Sequence, residues 1–265
     1  MIAEGEADAG PAARDTATAA GVARFLRQRV EFGENSLLLA EAGTREVLDS
    51  LARFRSRPAG AAPAPMASPT SDNDLSLPGT LAEVEEVCAG CVRCGLSKTR
   101  TQTVFADGNP DARVMVVGEA PGASEDATGQ PFVGAAGKLL DLLLRTVDLS
   151  RRESVYICNV IKCRPPDNRN PEKAEIESCA PYLRRQIELV RPEVILAVGT
   201  FSGQLLTGRG DTLGRLRGQV FRYEGIPLVV TYHPAALLRN SGWTRPTWED
   251  LQLLRRILDG EDVPT

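Results

Sequence analysis

Six cysteines and a single histidine are the residues of this 265-residue sequence that point most directly to chemistry. Cys88, Cys91 and Cys94 form two overlapping CxxC steps, a spacing that lets two thiolates reach one metal, and Cys163 and Cys179 follow far along the chain, around Arg164-Pro165-Pro166. Four thiolates suit zinc or a [4Fe-4S] cluster equally, and spacing alone does not separate the two. Scattered buried thiols are the plain alternative. Met1-Ile2-Ala3-Glu4-Gly5 lacks the basic-then-apolar pattern of an export signal, so a reducing, cytoplasmic setting is expected, with thiols free for metal rather than disulfides. Cys158, beside Asn159 at the end of an apolar run, reads as core. His233, being alone, excludes any site built from two imidazoles. It stands where an apolar run ends, before Pro234, which favours a functional role over a structural one.

A second constellation is Gly118-Glu119-Ala120-Pro121-Gly122, followed by Glu125-Asp126 and Gly129-Gln130-Pro131-Phe132-Val133-Gly134. It lacks the lysine and hydroxyl of a P-loop in register, which argues against nucleotide-phosphate chemistry. Its glycines would let backbone N–H groups approach a ligand, with a structural turn as the plain alternative. Phe132, bracketed by Gly and Pro, is a candidate stacking platform for a base, with a loop-anchoring core aromatic as the alternative. The net charge of −4 gives no global nucleic-acid signature, so DNA contact would need a local patch. From Thr200 to Arg245 the bases Arg209, Arg215, Arg217, Arg222, Arg239 and Arg245 outnumber the acids Asp211 and Glu224, a candidate patch for which a solvated surface with a local excess is the plain alternative. Leu237 and Leu238, beside Arg239, read as an exposed loop that suits a wedge entering a duplex as well as ordinary packing.

The elements that must position these residues follow from periodicity. Residues 1–57 read as an N-terminal extension with short helices, and 58–79, rich in Pro, Ala and Ser, as a disordered linker. The folded domain is expected over 80–265, opening on the capping-box pattern Thr80-Leu81-Ala82-Glu83. Strands are expected at 113–117, 154–157, 193–198 and 227–231, and helices around 138–144, over 171–190 and over 247–259. Such alternation predicts an α/β fold, a three-layer αβα sandwich with a central, mainly parallel, four-stranded sheet. Ligands then belong outside the carboxyl ends of the strands, where Gly118, Asn159, Gly199 and His233 emerge. No apolar stretch approaches the roughly 20 residues a membrane span needs.

In order and combination, Cys91-Val92-Arg93-Cys94, Gly118 to Gly122, Gly129 to Gly134, Asn159 to Pro166 and His233 to Asn240 resemble the iron-sulfur uracil-DNA glycosylases, family 4 of the uracil glycosylase superfamily. The resemblance runs from about Cys91 to the C-terminal helix. It implies a uracil-DNA glycosylase-like fold and a monomer that extrudes uracil from DNA, hydrolyses its N-glycosidic bond and leaves an abasic site for repair. It implies one [4Fe-4S] cluster on Cys91, Cys94, Cys163 and Cys179, with Cys88 left over. Phe132 would stack on the uracil, Asn159 would hydrogen-bond its edge, backbone at Glu119 and Ala120 would hold a carbonyl oxygen, and His233 would donate to the oxygen gaining charge. Leu237 would fill the gap in the base stack, with Arg239 near phosphate. Ala120 departs from the wider superfamily, where an aspartate often orients the water at that position; Glu119 and Glu125 are the candidate catalytic carboxylates in its place, with Glu125 favoured for the water and Glu119 as a pocket residue. Two rival readings are a non-catalytic iron-sulfur DNA-binding or redox-sensing protein and a zinc-stabilised nucleotide-binding module.

Overall fold

β-Branched, apolar runs make the centre of the fold. The computed structural model describes residues 76–263, all within one compact unit; the extension and most of the linker expected before Thr80 lie outside the described residues. Strands β2 (Val114–Gly118), β3 (Val155–Asn159), β4 (Val194–Val198) and β6 (Ile226–Thr231) form the parallel core of a sheet ordered β1-β3-β2-β4-β6-β5. β2, β3 and β4 are buried along their whole length, as expected where helices cover both faces. Two short antiparallel edges complete the sheet: β1 (Asp107–Gly108) on β3, and β5 (Val220–Tyr223) on β6. Neither was expected from the sequence.

Eight helices surround the sheet among the described residues: α1 (Leu81–Ala89), α2 (Ala123–Thr128), α3 (Ala135–Arg145), α4 (Lys173–Val190), α5 (Thr200–Thr207), α6 (Leu213–Leu216), α7 (Pro234–Arg239) and α8 (Thr244–Leu258). The Thr80/Glu83 capping box forms as its sequence dictates, with the Glu83 N–H donating to the Thr80 hydroxyl and the Thr80 N–H to the Glu83 carboxylate. α8 starts three residues before the expected Thr247. Asn240 caps a 3₁₀ turn over Ser241–Trp243 that runs straight into the helix, and Pro246 falls in the first turn, where a missing N–H costs nothing. α3 packs against α7 and α8, the 3₁₀ turn over Ser241–Trp243 packs against both α7 and α8, and α1 packs with α4 and α5 with α6. No described helix is long and apolar enough to cross a membrane.

Candidate active site

Four strand ends converge at the carboxyl edge of the sheet. Gly118 and Asn159 are register partners at the tips of β2 and β3, and Val198 pairs with Thr231 just before Gly199 and His233. A Cβ on Gly118 would stand 2.3 Å from the Asn159 Oδ1 and 2.6 Å from the Phe132 Cζ. Glycine here is what allows an amide and an aromatic ring to meet over one strand tip. Asn159 is 2 % exposed, and its Oδ1 has no hydrogen-bond partner. A buried acceptor left unmade costs about 1–3 kcal/mol, a sacrifice that makes sense where a ligand supplies the donor.

Phe132 is held by force from three sides. Its φ of 55° is left-handed, a conformation costing a non-glycine residue on the order of 1–3 kcal/mol. The Arg151 guanidinium donates to the Phe132 carbonyl at 2.7 Å and to the Pro131 carbonyl at 3.0 Å, and is itself fixed by Asp107 and Asp141, each at 2.9 Å. On the helix side, a Cβ at Gly137 would lie 1.7 Å from the Phe132 carbonyl oxygen, so only glycine lets α3 pack this close. From α2, one Glu125 oxygen, Oε1, accepts the Val133 and Gly134 N–H groups at 2.9 Å each. The ring so fixed lies 5.5 Å from the His233 ring at an interplanar angle of 29°. A cleft of about 500 Å³ opens on the outer side of this loop, lined by Gln130, Lys138, Asp141, Arg151 and Arg152 among others, and includes neither Asn159 nor His233.

His233 caps α7: its Nδ1 accepts the Ala235 N–H at 3.1 Å. That assigns the proton of the neutral ring to Nε2, which is left as a donor. Burial, aided by the positive charge of Arg239 and opposed by Glu125, lowers its pKa from 6.5 to about 4. The ring is therefore neutral at physiological pH, suited to donating to a developing anion rather than to carrying a charge.

Leu237 and Leu238 are not on a loop but on α7, whose helical turn buries Leu237 (4 % exposed) in the core and leaves Leu238 outward (54 %). Of the basic stretch only Arg217 is drawn inward; Arg209, Arg215 and Arg245 stay exposed at the surface, each beside a carboxylate. Arg217 binds buried Asp250 and the Pro246 carbonyl, Arg209 and Arg215 face Asp211, and Arg245 pairs with Glu249. Ala120 and Glu119 are half-buried beside Gly118, with the Glu119 carbonyl accepting the Ile161 N–H. Asp126, next to Glu125, is buried and accepts the Thr101 N–H and hydroxyl, tying the segment after the cysteine pair to α2.

The cysteines lie in a separate pocket lined by Cys88, Cys91, Cys94, Cys163 and Cys179. Cys88 is on α1 and packs with Val84, Phe105 and Tyr182, whereas Cys91 and Cys94 follow the helix. Arg100 donates to the Cys163 Sγ at 3.3 Å and the Lys162 N–H to the Cys179 Sγ at 3.3 Å, with Tyr182 lining the same pocket. Burial pushes the Cys179 thiol up to about 12, opposed by Lys162. Cys158 is fully buried in the core, as its position in β3 implies. Arg151, Gly137, Asp126 and Lys162 were not singled out as site residues by the sequence; their roles rest on distant partners, such as Asp107 44 residues from Arg151, and on close approaches that only the folded backbone sets.

With this geometry in hand, comparison with known proteins gives a consistent answer. Residues 105–252 match the family model described as the uracil DNA glycosylase superfamily, and the chain belongs to that superfamily. It is 45 % identical over 167 residues to a type-4 uracil-DNA glycosylase of Archaeoglobus fulgidus, covering 60 % of this chain and 83 % of the relative. A type-4 uracil-DNA glycosylase of Thermotoga maritima is 46 % identical over 182 residues, 67 % of this chain and 94 % of the relative. A type-5 uracil-DNA glycosylase of Pyrobaculum aerophilum matches less closely, at 36 % over 166 residues, 56 % of this chain and 72 % of the relative. Within the superfamily the chain therefore groups with the type-4 enzymes.

Proposed function

We propose that this protein removes uracil from DNA, and that the buried, unpartnered Asn159 Oδ1 beside the Phe132 ring is where the base is read. Uracil offers an N–H and a carbonyl along the edge where cytosine offers an acceptor and an amine, so a fixed amide completes its hydrogen bonds with the first and mispairs with the second. Phe132 stacks on the extruded base, and backbone at Glu119 and Ala120 holds a carbonyl oxygen. As the N-glycosidic bond breaks, the bonding pair leaves with uracil, and the His233 Nε2–H donates to the oxygen that gains charge. Glu125, with Oε1 committed to the loop, directs Oε2 at a water that adds its oxygen to the sugar C1′; the proton released balances the uracil anion. Glu119 lines the pocket. Leu238, not Leu237, is the exposed side chain able to enter the base stack, with Arg239 following toward phosphate.

Cys91, Cys94, Cys163 and Cys179 hold one [4Fe-4S] cluster in this reading, supported by a shared pocket in which a guanidinium and a backbone N–H already point at two of the sulfurs. Bound there, the cluster braces the segments that carry Asn159 and Asp126; hydrolysis itself transfers no electrons. The protein acts as a cytoplasmic monomer, with the catalytic domain beginning near Thr80. Incubating it with a uracil-containing oligonucleotide tests the activity: alkali-labile abasic sites are expected with the wild type and not with Asn159→Ala. Folded, cluster-bearing wild type that leaves the oligonucleotide intact would favour the non-catalytic DNA-binding alternative.

A further inference from the structure

Lys162 joins the two sites. It is 1 % exposed, among the most deeply buried large side chains of the fold. Its Nζ donates to the Asn159 carbonyl at 2.7 Å and to the Gln186 Oε1 at 2.6 Å, while its own N–H donates to the Cys179 Sγ and its side chain lines the thiol pocket. Gln186 is in turn fixed by donating to the Phe105 carbonyl and the Tyr156 hydroxyl, so the ammonium has little freedom.

A buried ammonium normally needs an anion. Both acceptors on Lys162 are neutral, and among the described residues no carboxylate pairs with it. What Lys162 shares a pocket with is thiols: it lines the same cavity as Cys91, Cys94, Cys163 and Cys179, and its own N–H reaches the Cys179 Sγ at 3.3 Å. Thiolates ligating a metal centre are deprotonated outright, and would supply the missing negative charge.

We propose that Lys162 is a positioning residue that couples the thiol pocket to base recognition: its ammonium answers the charge of the ligated thiolates and pins the main chain from which the Asn159 amide projects. This rests on the cluster reading above. One cation thus serves two sites, and removing its charge should disturb both.

The test uses full-length, cluster-loaded protein and two readouts independent of turnover: the reduction potential of the cluster, followed by electron paramagnetic resonance, and the affinity for free uracil. Lys162→Met keeps the length of the side chain without its charge. It is expected to move the potential to more negative values, since the reduced form carries the extra negative charge, and to weaken uracil binding roughly tenfold as Asn159 loses its anchor. Gln186→Glu covers the case in which the first variant does not fold. It keeps the lysine on Asn159 but gives it a carboxylate, so the potential should fall while uracil affinity stays near that of the wild type. A wild-type potential in either folded variant, or a shifted potential in Lys162→Met with unchanged uracil affinity, would overturn the coupling. Wild-type protein without iron or visible absorption would overturn the cluster reading and this inference together.

Discussion

Replacing Gly118 by alanine is the sharpest steric test of the pocket. The added methyl would lie 2.3 Å from the Asn159 Oδ1 and 2.6 and 2.8 Å from two atoms of the Phe132 ring. To regain ordinary van der Waals contact, amide and ring must each retreat by about 1 Å, the scale at which misplacement costs about a hundredfold in rate. Neither has an easy retreat. Asn159 is buried at the end of β3, and Phe132 is boxed in by Arg151, Gly137 and Glu125. Gly118 pairs regularly in the sheet and does not need a left-handed backbone, so the penalty on folding should stay near the usual overpacking range of about 1–3 kcal/mol. Single-turnover excision from a uracil-containing oligonucleotide, together with thermal melting, separates the two effects. The expected outcome is a folded protein with kcat/KM down about a hundredfold. A folded Gly118→Ala variant within about threefold of the wild type would refute the claim that Asn159 and Phe132 act from the positions observed.

Other consequences can be checked with the same preparations. Arg151→Met removes the donors that hold the Phe132 carbonyl, and should lower kcat/KM roughly tenfold with a smaller change in melting temperature; equal activity would mean the loop holds itself. Because His233 is neutral down to about pH 4, excision should show no loss near pH 6.5 that disappears in His233→Gln. Stability should behave differently: between pH 4 and 6.5 the unfolded chain binds a proton that the folded chain does not, so stability should rise with pH across that window and level off above it, and His233→Gln should flatten the slope. Leu238→Ala should weaken binding to duplex DNA with little effect on melting, whereas Leu237→Ala, which empties a core position, should cost about 2–5 kcal/mol of stability. The reverse pattern would restore Leu237 to the wedge.

The parallel core was legible because β2, β3, β4 and β6 are short, β-branched runs separated by helical periods, and Gly118, Asn159 and His233 drew attention because they sit at or just past the ends of those runs. The edges were not. β1 is two residues long, and β5 alternates polar with apolar residues. Its one local signal is Glu224-Gly225, both with positive φ, the two-residue turn of a hairpin. Which of Leu237 and Leu238 faces solvent depends on α7 being a helix, and six residues after a proline are too few for a periodic pattern to declare it. Arg151 and Lys162 had no role in the sequence reading because their burial, and partners such as Asp107 44 residues from Arg151 and Gln186 24 residues from Lys162, are properties of the fold alone.

The central claim is that uracil completes the hydrogen bonding of Asn159. Its most direct measurement is a titration of ¹⁵N-labelled protein with free uracil, following the Asn159 side-chain amide, assigned from its absence in Asn159→Ala. A saturable shift with uracil and none with cytosine at equal concentration is the predicted result. An Asn159 amide indifferent to uracil, in protein that still excises it from DNA, would contradict the account.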